Sequence, residues 1–227
     1  MRGDNDADGF WIFFPRCPEI NEINNPLTAI LGYSDLMSTD ESLDAQSRDF
    51  AGKIKQQVRR TKTLVDNLLA FAKQSPIQRL PLDLNSATER AITIYELNHL
   101  ARGVELVRSL GEELPRIEGD EPRLVQVFVH VLNNAAEAIE STGQPGRIRL
   151  TTEVKGSKLR WRCADTGPGV PHVDRVFDPF FTTKPPGKGT GLGLSVSYGT
   201  IREHGGEISC VNRPEGGAEF TITLPIK

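Results

Sequence analysis

The chain has 227 residues, of which 37% are hydrophobic and 25% charged, and its formal net charge is −3 at pH 7. That length suits one large or two modest globular domains, and without a basic excess or a Lys/Arg cluster no nucleic-acid partner is expected. The three cysteines, Cys17, Cys163 and Cys210, come with no CxxC pair and no histidine cluster of zinc spacing, so they read as reduced thiols.

Residues 1–19 run from acidic to aromatic and are broken by Pro15 and Pro18, which predicts an irregular N-terminal extension. Its apolar run, Phe10–Phe14, is far below the roughly 20 residues a spanning helix needs. No membrane segment is expected in this chain and a cytoplasmic location is; any sensor or anchor would lie outside it. From Ile20, the positions Ile23, Leu27, Ile30, Leu31 and Met37 follow helical spacing to a polar stop at Ser38-Thr39-Asp40. A longer pattern, from about Asp44 to Gln74, places Phe50, Ile54, Gln57, Thr61, Leu64, Leu68 and Phe71 at alternating four- and three-residue steps. Two antiparallel helices with one apolar seam each cannot bury those seams alone. Residues 20–76 are therefore expected to form a hairpin that dimerises into a four-helix bundle.

Residues 77–82 read as a linker and 83–227 as an α+β domain. Helices are predicted over Ser86–Arg102 and Pro122–Glu140, the second with Asp120 as N-cap. Strand-like runs are Val104–Val107, Arg147–Val154, Leu159–Ala164, Glu207–Val211 and Ala218–Leu224. No βαβ period links them, so a mixed sheet covered by helices on one face is predicted, an α/β sandwich.

Chemistry concentrates in two glycine clusters, Asp165-Thr166-Gly167-Pro168-Gly169 and Gly189-Thr190-Gly191-Leu192-Gly193-Leu194. Glycine lets backbone N–H groups approach phosphate oxygens, and the second cluster runs into the helical pattern Leu194–Glu203, whose N-terminus favours anions. Each cluster alone reads equally as a surface turn. A third element favours the phosphate reading: His130 and Asn134 lie four residues apart, at the border of the stripe made by Leu124, Val127, Phe128, Val131 and Ala135. A carboxamide oxygen there suits a magnesium ion that also takes phosphate oxygens.

Taken in order, Asn134, DTGPG at 165–169, FDPFFTTK at 177–184 and GTGLGL at 189–194 resemble the nucleotide-binding (Bergerat) domain of histidine kinases and their relatives in the gyrase, Hsp90 and MutL superfamily. The resemblance covers roughly residues 82–227. It implies that ATP is bound, with Asp165 accepting from the adenine amino group and Gly167 and Gly169 letting the chain pass close to the base. It implies that Asn134 holds Mg2+ and that Lys184 and Lys188 reach the phosphates as mobile point charges. Gly189, Thr190, Gly191, Leu192, Gly193 and Leu194 would line those phosphates. Val170–Lys188 would be a flexible lid in which Phe180 and Phe181 pack on closure. Thr221 matches a threonine near the adenine in relatives.

The segment Asn21-Glu22-Ile23-Asn24-Asn25-Pro26-Leu27, followed by Leu31-Gly32-Tyr33-Ser34, resembles the dimerisation and phosphotransfer motif of the same kinases, usually read His-Glu-Ile-Asn-Asn-Pro-Leu. NPLTAILGYS and GTGLGL are most similar to the nitrogen-regulation type. Pro26 cannot donate to the Glu22 carbonyl and should bend the helix beside the reactive position. The resemblance implies that position 21 is the histidine that takes the γ-phosphate, that Glu22 accepts the other ring proton, and that the phosphate passes to a response regulator. An asparagine amide has a delocalised lone pair and is no nucleophile, so this chain is not expected to phosphorylate itself by that route. Two readings stay open: a kinase core disabled at its acceptor, and a nucleotide-binding module or response-regulator phosphatase in which Glu22 and Asn25 orient water. An ATPase clamp needs a glutamate four residues before Asn134, where His130 stands.

Overall fold

The computed structural model describes residues 20–72, 77–98, 103–185 and 189–226; the expected extension and Lys188 lie outside the described residues. Among the described residues no helix is long and apolar enough to cross a membrane. The chain divides into two units, Met1–Gln74 and Ser75–Lys227.

In the first unit a helical hairpin joins α1 (Ile20–Thr39) to α2 (Ala45–Ala72), with Pro26 inside α1. The polar stop works through side chains. Ser38 and Thr39 hydroxyls turn back to the Asp35 carbonyl at 2.8 and 3.1 Å, competing with continuation of the helix. Asp44 then caps α2 by accepting the Ser47 N–H at 2.8 Å. Ser34, Ala51 and Val58 are buried in the hairpin, whereas Ile30, Tyr33, Leu36, Phe50 and Ile54 remain exposed. The seam expected at Phe50 and Ile54 is thus not covered within one chain.

The second unit is a mixed sheet with helices on one face. Its elements in chain order are β1 (Leu80–Leu82), α3 (Leu84–Asn98), β2 (Val104–Leu110), β3 (Ile117–Gly119), α4 (Glu121–Glu140), β4 (Gly146–Lys155), β5 (Lys158–Asp165), α5 (Gly193–Glu203), β6 (Glu207–Asn212) and β7 (Ala218–Pro225). The main sheet has the order β2-β4-β5-β7-β6, parallel only between β2 and β4. Alternation along β5 and β7 sends Leu159, Trp161 and Cys163, and Phe220, Ile222 and Leu224, into the core beneath the helices.

Two features depart from the sequence expectation. Leu80–Leu82, expected as linker, is a strand that pairs antiparallel with Ile117–Gly119. Both strands have three residues and one contains Pro81, too short and too broken a pattern to read as sheet. Helix α3 begins two residues earlier than predicted because Asp83 caps it, accepting the Ser86 N–H at 2.9 Å.

His204, at the end of α5, ties that helix to the start of α4. Its buried ring accepts the Asp120 N–H at Nε2 (2.9 Å) and lies 2.7 Å from the Thr200 carbonyl at Nδ1. A backbone N–H can only donate and a carbonyl only accept, so the neutral Nδ1–H form is the one that satisfies both. Burial holds His204 below its ordinary value of 6.5; the Thr200 carbonyl and then the nearby Asp120 carboxylate oppose this, and the Arg79 and Arg123 guanidinium groups add to it. Because the folded value is the lower one, the neutral ring contributes its stability in full above about pH 6.5, and loses it as pH falls through the folded value. In urea titrations, the stability difference between wild type and His204→Gln should be largest near neutral pH and shrink steadily on acidification.

Candidate functional site

Helix α4 positions the site. Its buried residues Leu124, Val127, Phe128, Val131 and Ala135 fix it to the sheet, and Phe128 stacks on Trp161 of β5 with centroids 4.6 Å apart and an interplanar angle of 12°. With that face held down, His130, Asn134, Glu137 and Ala138 emerge along its edge at helical spacing.

At the Ala138 end stands Asp165, the last residue of β5 and only 2% exposed. Its Oδ1 accepts the N–H groups of Gly167 at 2.8 Å and Ala218 at 3.2 Å. Both donors address one oxygen, which leaves the other for a further donor. Burial raises the carboxyl pKa above its ordinary range, against the pull of these two N–H groups and the Arg213 guanidinium. The glycines around it are sterically required. A Cβ on Gly167 would stand 2.9 Å from Asp165 Oδ1 and 3.0 Å from Ala138 Cβ. On Gly217, at φ +81°, it would stand 2.0 Å from the Asp165 carbonyl oxygen. Asn212 completes this end: its Oδ1 accepts the Val170 N–H at 2.7 Å and its amide donates to the Val170 carbonyl at 2.8 Å, pinning the loop just past Gly169.

At the His130 end, α5 starts at Gly193 with no side-chain cap on its N-terminus. Thr190 Oγ1 accepts the Leu192 N–H at 3.2 Å and closes the turn that enters the helix. A Cβ on Gly193 would meet nothing nearer than His130 Cγ at 3.8 Å, so its bareness answers no demand from the chain's own packing. His130 Nδ1 lies 3.4 Å from Ser197 Oγ, and the Ser197 hydroxyl donates to the Gly193 carbonyl at 2.8 Å. Burial lowers the His130 pKa, and the Gly193 carbonyl partly offsets it.

Between the two ends lies Lys184, whose Nζ is 3.2 Å from Asn134 Oδ1 and ion-pairs with Glu137. The chain carrying it is closed at its neck by Phe180 N–H donating to the Gly191 carbonyl at 3.0 Å. Gly191 has φ +67°, and a Cβ there would stand 2.3 Å from the Phe180 carbonyl carbon.

The structure thus brings Asp165, Gly167, Lys184 and Gly193 to the edge of α4 that carries Asn134, with Gly169 beside Asn212 and Gly217, Gly189 against Lys184, Gly191 against Phe180 and Thr190 at the turn into α5. Other expected residues fall elsewhere. Phe180 is 62% exposed at φ 65°, whereas Phe181 lies under the Arg175 guanidinium at 4.7 Å and edge-on to His172 at 6.0 Å; Phe177, not expected, packs against Tyr198 and Phe220 at 5.7 and 6.3 Å. Leu192 is buried and Leu194 packs on the core, so their side chains anchor the loop instead of lining a ligand. Thr221 stands in register with Arg162 and Ser209 on the sheet face opposite the helices, because Phe220 and Ile222 take the inward positions of β7. Asn21, Glu22 and Asn25 belong to α1 in the first unit; Asn25 is exposed, and the side chains of Asn21 and Glu22 lie outside the described residues. Glu137, Asn212 and Gly217 were not anticipated. Only Gly217 carried a signal, as half of a Gly-Gly pair leading into a strand.

The family described as "Histidine kinase-, DNA gyrase B-, and HSP90-like ATPase" matches residues 119–227, and "His Kinase A (phospho-acceptor) domain" matches residues 21–76. The chain is 30% identical over 208 residues to sensor histidine kinase ZraS of Escherichia coli (strain K12), covering 91% of this chain and 44% of that protein. It is 34% identical over 221 residues to sensory histidine kinase/phosphatase NtrB of Rhizobium meliloti (strain 1021), covering 90% of this chain and 56% of that one. The chain thus spans about half the length of these relatives. Among solved structures, full-length ShkA in complex with AMPPNP superposes with a TM-score of 0.75 at 27% identity, over 91% of this chain and 44% of that one. The catalytic domain of histidine kinase ThkA gives 0.59 at 32% identity, over 66% of this chain and 96% of that one. ThkA has also been solved in complex with response regulator protein TrrA, where the TM-score is 0.66 at 29% identity, over 91% of this chain and 59% of that one.

Gly217→Ala should destabilise the second unit. The left-handed backbone alone costs about 1–3 kcal/mol, and the added methyl displaces the Asp165 carbonyl; urea unfolding of the full chain measures the loss.

Proposed function

The chain belongs to the sensor histidine kinase family, and we propose that its second unit binds ATP with Mg2+ along α4 while its first unit is a dimerising phosphotransfer module whose acceptor position holds Asn21. One observation carries the nucleotide reading: a buried carboxylate with an oxygen to spare, a carboxamide beside an ammonium, and an uncapped helix N-terminus follow one another along a single helix edge. From Ala138 to His130 that edge rises about 12 Å at 1.5 Å per residue, a length suited to a base, a sugar and a phosphate chain laid end to end.

In this reading Asp165 Oδ2 accepts from the adenine amino group. Gly167 and Gly169 keep the wall thin, and Gly217 lets β7 pass close behind the carboxylate. The residues present fit a magnesium ion: Asn134 Oδ1 already faces a cation, the Lys184 ammonium, and a few protein oxygens suffice when phosphates supply the rest. Asn134 would be the protein ligand of that ion, which when bound would supply electrostatic stabilisation of phosphate charge. Lys184, Lys188 and the first turn of α5 would hold the distal phosphates.

On α1, position 21 takes the phosphoryl group in relatives that carry histidine, and Glu22 orients it. The apolar residues left exposed on the hairpin suit a second copy, giving the homodimeric four-helix bundle. The downstream partner is a response-regulator receiver domain, as in the ThkA–TrrA complex. A second reading draws on Asn21 and on the kinase/phosphatase named among the relatives: Glu22 and Asn25 position water against the regulator's aspartyl phosphate, and nucleotide binding regulates that activity.

The test is incubation with γ-labelled ATP and magnesium, with binding followed in parallel. Wild type and Asn21→His should both bind ATP, and only Asn21→His should gain an acid-labile label. Asp165→Asn should weaken ATP binding about ten- to hundredfold, the loss expected for a hydrogen bond to a charged group. Labelling of wild type would move the acceptor elsewhere, and no binding by either chain would end the nucleotide reading.

A further inference from the structure

We infer that Glu137 is a positioning residue for the lid: its carboxylate holds the Lys184 ammonium beside Asn134 and so sets where the lid's cation meets the phosphate chain. The inference rests on the nucleotide reading above and adds to it a residue that none of the motifs contains. Glu137 sits three residues after Asn134, on the adjoining edge of α4 and open to solvent. Lys184 reaches both: Nζ is 3.2 Å from Asn134 Oδ1 and ion-paired with the Glu137 carboxylate.

The lysine stem is held independently of that pair. The Lys184 N–H donates to Thr182 Oγ1 at 3.2 Å. The backbone at Gly189 lies so close that a Cβ there would stand 2.6 Å from Thr182 Oγ1 and 2.9 Å from Lys184 Cδ. An ammonium has three donors. The Glu137 carboxylate takes one, so the ammonium stays tethered to α4 when Asn134 Oδ1 turns to magnesium, and its other donors meet a phosphate oxygen from a fixed place rather than from a sweep of rotamers, which lowers the ordering cost of binding.

The charges impose a second consequence. A bare carboxylate beside the path of the phosphate chain would repel the ligand, so Glu137 helps only while Lys184 neutralises it. Removing Lys184 alone should therefore be worse than removing both charges.

Calorimetry of ATP and ADP binding with magnesium tests this on wild type, Glu137→Gln, Lys184→Gln and the double variant, all as the full chain. Glu137→Gln should lower the ATP-over-ADP affinity ratio severalfold while thermal unfolding stays unchanged, since its side chain is exposed. Lys184→Gln should lower the ratio about tenfold, and the double variant should recover part of that loss. A ratio unmoved by Glu137→Gln, or effects that simply add in the double variant, overturns the inference while leaving the nucleotide reading intact. Failure of wild type to bind either nucleotide overturns both.

Discussion

Everything in the second unit depends on one helix being unable to roll. The Phe128 ring lies flat on Trp161 at the centre of the sheet, both wholly buried. Such a stack is worth about 0.5–1.5 kcal/mol beyond the burial of its area, and it also sets the rotation of α4 about its own axis. A turn of one residue's worth would bury His130 or Asn134 and expose Val131. The cost of that exposure, about 1.5–3 kcal/mol per large apolar side chain, keeps the polar edge where the two glycine clusters arrive. The tie between His204 and Asp120 does the same at the helix start, coupling the placement of α4 to that of α5.

The site follows from that constraint through backbone geometry more than through side-chain chemistry. Asp165 is ionisable and almost fully enclosed, which would ordinarily drive it to neutrality. Two backbone N–H groups and a guanidinium oppose this, and those N–H groups reach it only because Gly167 and Gly217 have no Cβ. By contrast, the buried thiols Cys163 and Cys210 receive no such support. Burial pushes both up, Cys210 to about 12, so they serve as core and not as nucleophiles.

The sequence made the fold class and the main clusters legible because both rest on local patterns: period-two strands, a capped amphipathic helix, and glycines in ordered motifs. Asp120 could be named as a cap from its position alone, and the structure shows its Oδ1 accepting the Arg123 N–H at 3.3 Å. The parts that were not legible depend on partners distant in sequence. Glu137 on its own reads as a solvated acid on a helix edge, and only the fold brings it to Lys184. Asn212 clamps a loop that precedes it by a whole helix and strand. Strands β1 and β3, with three residues each, carry too little periodicity to declare themselves. Thr221 is a different kind of miss: Ala218, Phe220, Ile222 and Leu224 alternate as inward residues, and that period alone assigns Thr221 to the outer face.

The division of labour between the units gives the asparagine at position 21 its meaning. Every side chain assigned to the nucleotide belongs to Ser75–Lys227, and the bonds that hold Asp165 and Lys184 in place are made within that unit. Replacing one side chain on α1 breaks none of them. On the proposed function, a change at position 21 would remove the phosphate acceptor and leave the groups assigned to ATP untouched, because those are held within the second unit. What such a change removes is the nitrogen lone pair that would attack phosphorus. Glu22, Asn25 and Pro26 stay in the sequence, and on the phosphatase reading they are the groups that a regulator-directed hydrolysis would use.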